Sequence, residues 1–226
     1  MLMPLKMVLL VLLRLNQSYN MRVLLACEES QAVCMEFRRM VHQAFSADIL
    51  ECTGPNPEWH IVGDVLEIIQ DDWDLMIAFP PCTHLAVSGA RHFQSKIQDG
   101  RQQSGIDFFM KMINAPIPKI AVENPIGIMS SIFRKPDQII HPYFFGDPYS
   151  KSTCLWLKGL NKLSHVAKGA SPLFPEYVTH VDKGEFVTFS SGKKMAKWYN
   201  KASGNGHIRS KTFPGIAKAM AEQWGK

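Results

Sequence analysis

The 226 residues, 46% of them hydrophobic with 15 glycines and 14 prolines, suffice for one full α/β domain with a small appendage and read as a soluble globular protein. Five cysteines (Cys27, Cys34, Cys52, Cys82 and Cys154) form no CxxC pair and no Cys/His cluster, so neither a zinc site nor a disulfide framework is indicated and a reducing cytoplasm is the expected compartment. The net charge of +5 is uneven: residues 1–146 carry 12 Lys and Arg against 15 Asp and Glu, and residues 147–226 carry 13 against 5, so the carboxyl third is a candidate surface for a polyanion.

Residues 1–20 are expected to be an extension outside the fold. The apolar stretch from Met7 to Leu13 is too short to span a bilayer, Arg14 closes it, and Gln17-Ser18-Tyr19-Asn20 offers no small-x-small cleavage site. From Met21 the pattern alternates. Arg22 to Cys27 is a buried-strand run, and Ser30 to Met40 places Val33, Phe37 and Met40 at helical spacing. Ala44 to Ala47 is a second strand, ending at Asp48. His60 to Asp64 leads into a short helix through Ile69, Leu75 to Phe79 is a strand, Gln102 to Ile113 a helix, and Ile120 to Asn124 another strand. The whole predicts a doubly wound, mostly parallel sheet over residues 21–160, with ligands at the carboxyl ends of its strands. Residues 161–206 are expected to form a small basic accessory segment. In it Glu185 to Ser190 reads as a strand, Ser191-Gly192 as a turn, and Lys193 to Lys201 as a basic helix or loop with Trp198 and Tyr199 available for stacking. Within 207–226, a last helix from Pro214 to Trp224 completes the fold.

Polar residues gather where the strands are expected to end: Glu28, Glu29 and Ser30 after the first, Asp48 after the second, Asp64 after the third, Cys82 after the fourth, and Glu123-Asn124 at the fifth. The stretch Ala78-Phe79-Pro80-Pro81-Cys82 is informative. Two prolines cannot continue a ladder, so the strand must stop and present Cys82 on a stiff loop. An acid ending the second strand is where a doubly wound fold binds ribose hydroxyls. No GxGxxG follows the first strand, which disfavours a pyrophosphate-bearing dinucleotide and leaves an adenosine ligand without phosphates, such as S-adenosylmethionine.

Pro80-Pro81-Cys82, followed about forty residues later by Glu123-Asn124-Pro125, resembles the PPC and ENV motifs of the DNA cytosine-5 methyltransferases. Ser88-Gly89 and Gly63-Asp64-Val65 also resemble stretches of that family. The likeness keeps the family's motif order over residues 21–160 and is closest to short phage-type members without a large recognition domain. It implies a Rossmann-like methyltransferase fold, S-adenosylmethionine as cofactor, DNA as partner, no metal and no membrane, a monomer in the cytoplasm of a bacterium or phage-infected cell, and restriction evasion as its role.

By the same resemblance Cys82 is the nucleophile that adds to cytosine carbon-6, Glu123 contacts the ring nitrogen and exocyclic amine, and Asn124 holds the strand end. Glu28, Ser30, Asp48, Asp64 and Pro80 would contact the cofactor. Ser88 and Arg209 belong to loops facing the substrate, and charge clustering adds Lys193, Lys194, Lys197 and Lys201 as phosphate contacts. The chain departs from the family in three places. Cys27-Glu28-Glu29-Ser30 stands where a glycine-rich turn is usual, Ala78-Phe79 where a glycine pair precedes PPC, and Lys151 is the nearest counterpart of an arginine-bearing strand. The resemblance leaves open carbon-5 modification of a free pyrimidine nucleotide, transfer of a group larger than methyl, and a non-catalytic DNA-binding relative. The loop Thr83 to Gly100, with Gly89 and Gly100 as pivots, is expected to close over an extruded base.

Overall fold

In the computed structural model, which describes residues 20–165, 180–202 and 204–226, the apolar runs become the middle of one seven-stranded sheet. Strands β1 (Arg22–Ala26), β2 (Gln43–Asp48), β3 (His60–Val62), β4 (Leu75–Ala78) and β5 (Lys119–Pro125) are parallel. β7 (Thr153–Lys158) runs antiparallel between β5 and β6 (Gln138–Ile140), giving the order β3-β2-β1-β4-β5-β7-β6. This is the doubly wound order with a reversed strand inserted next to one edge.

β1 and β4 are continuously apolar because both faces of the sheet are covered, and their side chains alternate between two cores. Val23, Leu25, Leu75 and Ile77 point to one face, against Phe37 of α1 (Ala32–Arg39) and Met220 and Trp224 of the carboxyl-terminal helix Pro214–Trp224. Leu24, Ala26, Met76 and Ala78 point to the other, against Trp156 of β7 and Phe109 and Met112 of the long helix Arg101–Ile113. The last helix begins at the expected Pro214, whose missing N–H is no loss at a first turn.

In chain order after α1 come α2 (Phe93–Gln98), α3 (the long Arg101–Ile113 helix), α4 (Met129–Ile132), α5 (Lys197–Lys201), α6 (Gly206–Ser210) and α7 (the Pro214–Trp224 helix), of which α2, α4, α5 and α6 are short. Three expectations change. The helix after Asp64 is only a 3₁₀ turn, Val65–Glu67. The accessory strand contracts to β8 (Phe186–Thr188), paired with β9 (Lys194–Ala196) in a separate hairpin. The stretch Thr83 to Gly100 is not an open polar loop, since it carries a 3₁₀ segment Val87–His92 and then α2. The expected extension falls almost wholly in residues 1–19, outside the described residues, as do residues 166–179 of the accessory segment.

Candidate active site

The sheet order reverses between β1 and β4, so the crevice beyond their carboxyl ends is where a doubly wound fold binds its ligand. Phe79 stays on the ladder, its N–H donating to Ala26 O at 2.9 Å, and Pro80 then ends it. Buried Asn124, at the end of β5, donates from Nδ2 to Pro80 O at 3.0 Å, and this ties the two strand ends together. Cys82 O accepts the N–H groups of Leu85 and Ala86, closing a turn directly after the thiol.

The chain beyond the turn is fastened twice. Ala86 and Gly127 form an antiparallel bridge flanked by Ile128 N–H to Leu85 O and Val87 N–H to Ile126 O. A Cβ at Gly127 would lie 2.3 Å from Leu85 O, so only glycine permits this approach. From the other side Lys96 of α2, 7% exposed, donates from Nζ to Thr83 O. These contacts are the physical reason that the expected hinged loop is a braced shelf instead.

Four titratable or charged side chains converge on this shelf. Burial, then the Glu123 carboxylate, push the Cys82 thiol above its ordinary value, while Lys151 and Arg209 pull it down. Burial likewise raises Glu123, against the opposing influence of Lys151 and of a hydrogen bond from the Thr153 hydroxyl. Glu123, Lys151 and Thr153 line a narrow cleft of about 10 Å³ with Phe79, Phe213 and Ile216. Arg209, on α6, lies with its guanidinium carbon 4.6 Å above the Tyr199 ring, and its buried Nε has no hydrogen-bond partner.

The β1 end of the crevice is unusual in its backbone. Cys27 and Gln31 both have φ of 60°, a left-handed conformation that glycine ordinarily supplies. The turn thus has the shape of a glycine-rich one without its glycines, at a conformational cost of about 1 kcal/mol or more per residue. Tertiary contacts hold it: the Gln31 amide donates to Asn56 O at 2.7 Å and accepts from Asn56 N at 3.0 Å.

Glu28, expected to hold polar groups of the cofactor, instead caps α1, because its two oxygens accept the N–H groups of Val33 (2.7 Å) and Cys34 (3.2 Å). A carboxylate there fills the helix N-terminus that would otherwise attract a pyrophosphate. Burial dominates over these hydrogen bonds and pushes Glu28 up to about 8. The folded chain therefore holds this proton more tightly than the unfolded one. The resulting stability is complete below the ordinary carboxylate range and is lost as pH rises through about 8. Glu28→Gln, measured by thermal melts from about pH 5 to about pH 9, is expected to lower the melting temperature at acid pH by roughly 3 °C and to flatten its decline with pH.

Cys27, Asp48 and Asp64 meet beyond β1, β2 and β3. Burial and the two carboxylates together raise the Cys27 thiol to about 12. Each aspartate accepts one backbone N–H through Oδ1, from Leu50 and Leu66 respectively, both at 2.9 Å. These are turn-forming contacts of the kind common for aspartate after a strand. Ser30 is half-buried on the turn before α1.

On the substrate side, Ser88 is exposed on the shelf. Lys193 and Lys194 are exposed on the β8–β9 hairpin, whereas Lys197 is ion-paired with Glu185. Trp198 and Tyr199, expected as free stacking surfaces, are half-buried. Trp198 packs on Tyr149 and Phe213 and donates to Ser150 O, and Tyr199 lies beneath Arg209. The structure adds Lys96, Thr153 and Gly127, for which the sequence carries no local signal.

No protein-family model matches the chain, and a comparison with curated proteins finds no match. Among the described residues, no group of three or more His, Cys, Asp or Glu could hold a metal ion, and no helix is long and apolar enough to cross a membrane.

Proposed function

We propose that this chain is an S-adenosylmethionine-dependent DNA cytosine-5 methyltransferase acting through a covalent Cys82 adduct. The observation that carries the reading is the joint placement of Cys82 and Glu123 at the ends of adjacent parallel strands, tied by Asn124 and flanked by two cations. Cytosine carbon-5 becomes nucleophilic only after a nucleophile has added to carbon-6, and a thiolate does so reversibly.

The raised pKa of Glu123 suits that sequence. Glu123 in its protonated form no longer opposes ionisation of Cys82, and it holds the proton needed at the ring nitrogen as sulfur attacks. Lys151 and Arg209 favour the thiolate by their charge. Carbon-5, now electron-rich, would take the sulfonium methyl group as its S–CH3 bond breaks and the thioether leaves; loss of the carbon-5 proton to water and elimination of the Cys82 thiolate would then restore the ring and the enzyme.

The β1–β3 ends fit the cofactor. Asp48 and Asp64 offer carboxylates to ribose hydroxyls and an adenine amine, and the Glu28 cap disfavours a phosphate-bearing alternative. S-adenosylmethionine supplies an electrophilic methyl group there. Duplex DNA would have to extrude the base, since carbon-6 inside the stack is out of reach of a strand-end thiol.

The deciding assay supplies labelled S-adenosylmethionine with duplex DNA, denatured DNA or free deoxycytidine monophosphate, followed by nucleoside analysis. The expected outcome is 5-methylcytosine from DNA and none from the mononucleotide. Turnover of the mononucleotide alone would transfer the reading to nucleotide modification, and no product from any substrate would refute it.

A further inference from the structure

Among the lysines and arginines of the described residues, Lys96 is the one that is buried. It is 7% exposed on the six-residue helix α2, and its Nζ donates to Thr83 O at 2.5 Å. The ion pairs of the described residues do not include it. Taking an ammonium out of water without a counter-ion is costly, and a lysine ordinarily lays its stem on apolar surface and leaves its head in solvent. Here the head is turned onto a carbonyl instead.

That carbonyl belongs to the residue directly after Cys82. The chain from Thr83 to Lys96 leaves the end of β4, passes through the 3₁₀ segment and returns, so the contact closes the excursion on itself. Nζ also lies against Gly89, where a Cβ would come within 3.3 Å of it and 3.6 Å of Thr83 O. One ammonium thus meets both the start of the shelf and the glycine expected to be its pivot. Between them the backbone is a run of turns, with Leu85 and Ala86 N–H on Cys82 O and Gly89 N–H on Ala86 O.

Resting on the methyltransferase reading, we infer that Lys96 is a positioning residue for methyl transfer: its ammonium, through Thr83 O, fixes the turn that carries Cys82, so the thiol is in place before substrate arrives. Lys151 and Arg209 remain the cations that act on the thiol itself. Packing alone does not call for a charge here, since methionine has nearly the same stem and fills the space without desolvating an ion. What the ammonium adds is a strong, directed hydrogen bond. Displacing an attacking atom by about 1 Å costs on the order of a hundredfold in rate, so a brace one residue from the nucleophile has a large effect on turnover.

The test uses the full chain and two substitutions. Lys96→Met removes the ammonium and keeps the stem; Gly89→Ala crowds it from the other side, at a residue whose φ is not positive. Hydrogen exchange read by peptide mass follows the amides of Leu85, Ala86, Val87 and Gly89, and initial rates with labelled S-adenosylmethionine and DNA give kcat and KM. Lys96→Met is expected to speed exchange of those amides by about tenfold with the β1 and β4 peptides unchanged, and to lower kcat by roughly thirtyfold with both KM values within about twofold. Gly89→Ala should move exchange and kcat the same way by about threefold. Unchanged exchange in Lys96→Met, or loosening that reaches β1 and β4, overturns the brace; faster exchange with kcat kept overturns the positioning. Exchange needs no methyl transfer, so a parent that methylates no DNA while Lys96→Met loosens the shelf would refute the methyltransferase reading alone.

Discussion

Incubated with S-adenosylmethionine and an oligonucleotide carrying 5-fluorocytosine, the protein is expected to end as a covalent complex one methyl group heavier than protein plus DNA, and Cys82→Ala is expected to give none. Fluorine at carbon-5 cannot leave as a cation, so the elimination that frees the enzyme is blocked after methyl transfer. On ordinary DNA the same substitution should reduce turnover by more than about a thousandfold, because among the described residues Cys82 is the thiol on this loop. The other thiols offer no substitute. Burial holds Cys27 and Cys34 near 12 and Cys154 near 11; Cys27 lies at the β1 turn and Cys34 in α1, while Cys154, next to cleft-lining Thr153 on β7, is packed into the core with Trp156 and Phe109. An adduct that survives in Cys82→Ala would place the nucleophile elsewhere and end the reading of the PPC loop.

Glu123→Gln is expected to move two measurements in opposite directions. Where Glu123 is ionised, its carboxylate is the main charge that raises the Cys82 thiol, so Glu123→Gln should speed alkylation of Cys82 by iodoacetamide most at alkaline pH and least where Glu123 holds its proton, read by peptide mass. Methyl transfer should nevertheless fall by roughly a hundredfold or more, because glutamine cannot deliver a proton to the ring nitrogen. A site that had merely lost its packing would lose both. If alkylation were unchanged, Glu123 would not be acting on Cys82 through its charge. The parent should show a rate that rises with pH as the thiol ionises and falls as Glu123 loses its proton, both limbs displaced upward from ordinary cysteine and carboxylate values.

Much of the fold was legible because its signals are local. A parallel strand buried on both faces must be apolar at every position, and Leu75 to Ala78 is so. Its end is marked by two prolines that no ladder accepts, and the start of α7 by a proline that a first helical turn welcomes. The reversed strand β7 carries no such mark, since an antiparallel insertion beside β5 depends on register with a partner thirty residues away in the chain. Trp198 shows the limit for surface residues. Beside lysines it looks free to stack on a base, yet it is half-buried because Tyr149, Phe213 and Ser150 O surround it.

The amino-acid sequence by itself determined the alternation of strands and helices, the end of β4 at Pro80, and therefore that Cys82, Glu123 and the aspartates lie at one edge of a sheet. Those are consequences of hydrophobic period and of proline geometry, which each segment obeys alone. Only the tertiary structure decided what each polar group does there. Glu28 became a helix cap because folding set it against the amides of Val33 and Cys34, and a lysine fourteen residues beyond Cys82 became the brace of its loop. Charge partners, burial and the shape of the β1 turn arise from residues distant in the chain, and the acidity of Cys82 and Glu123 follows from those neighbours and not from the motifs that contain them.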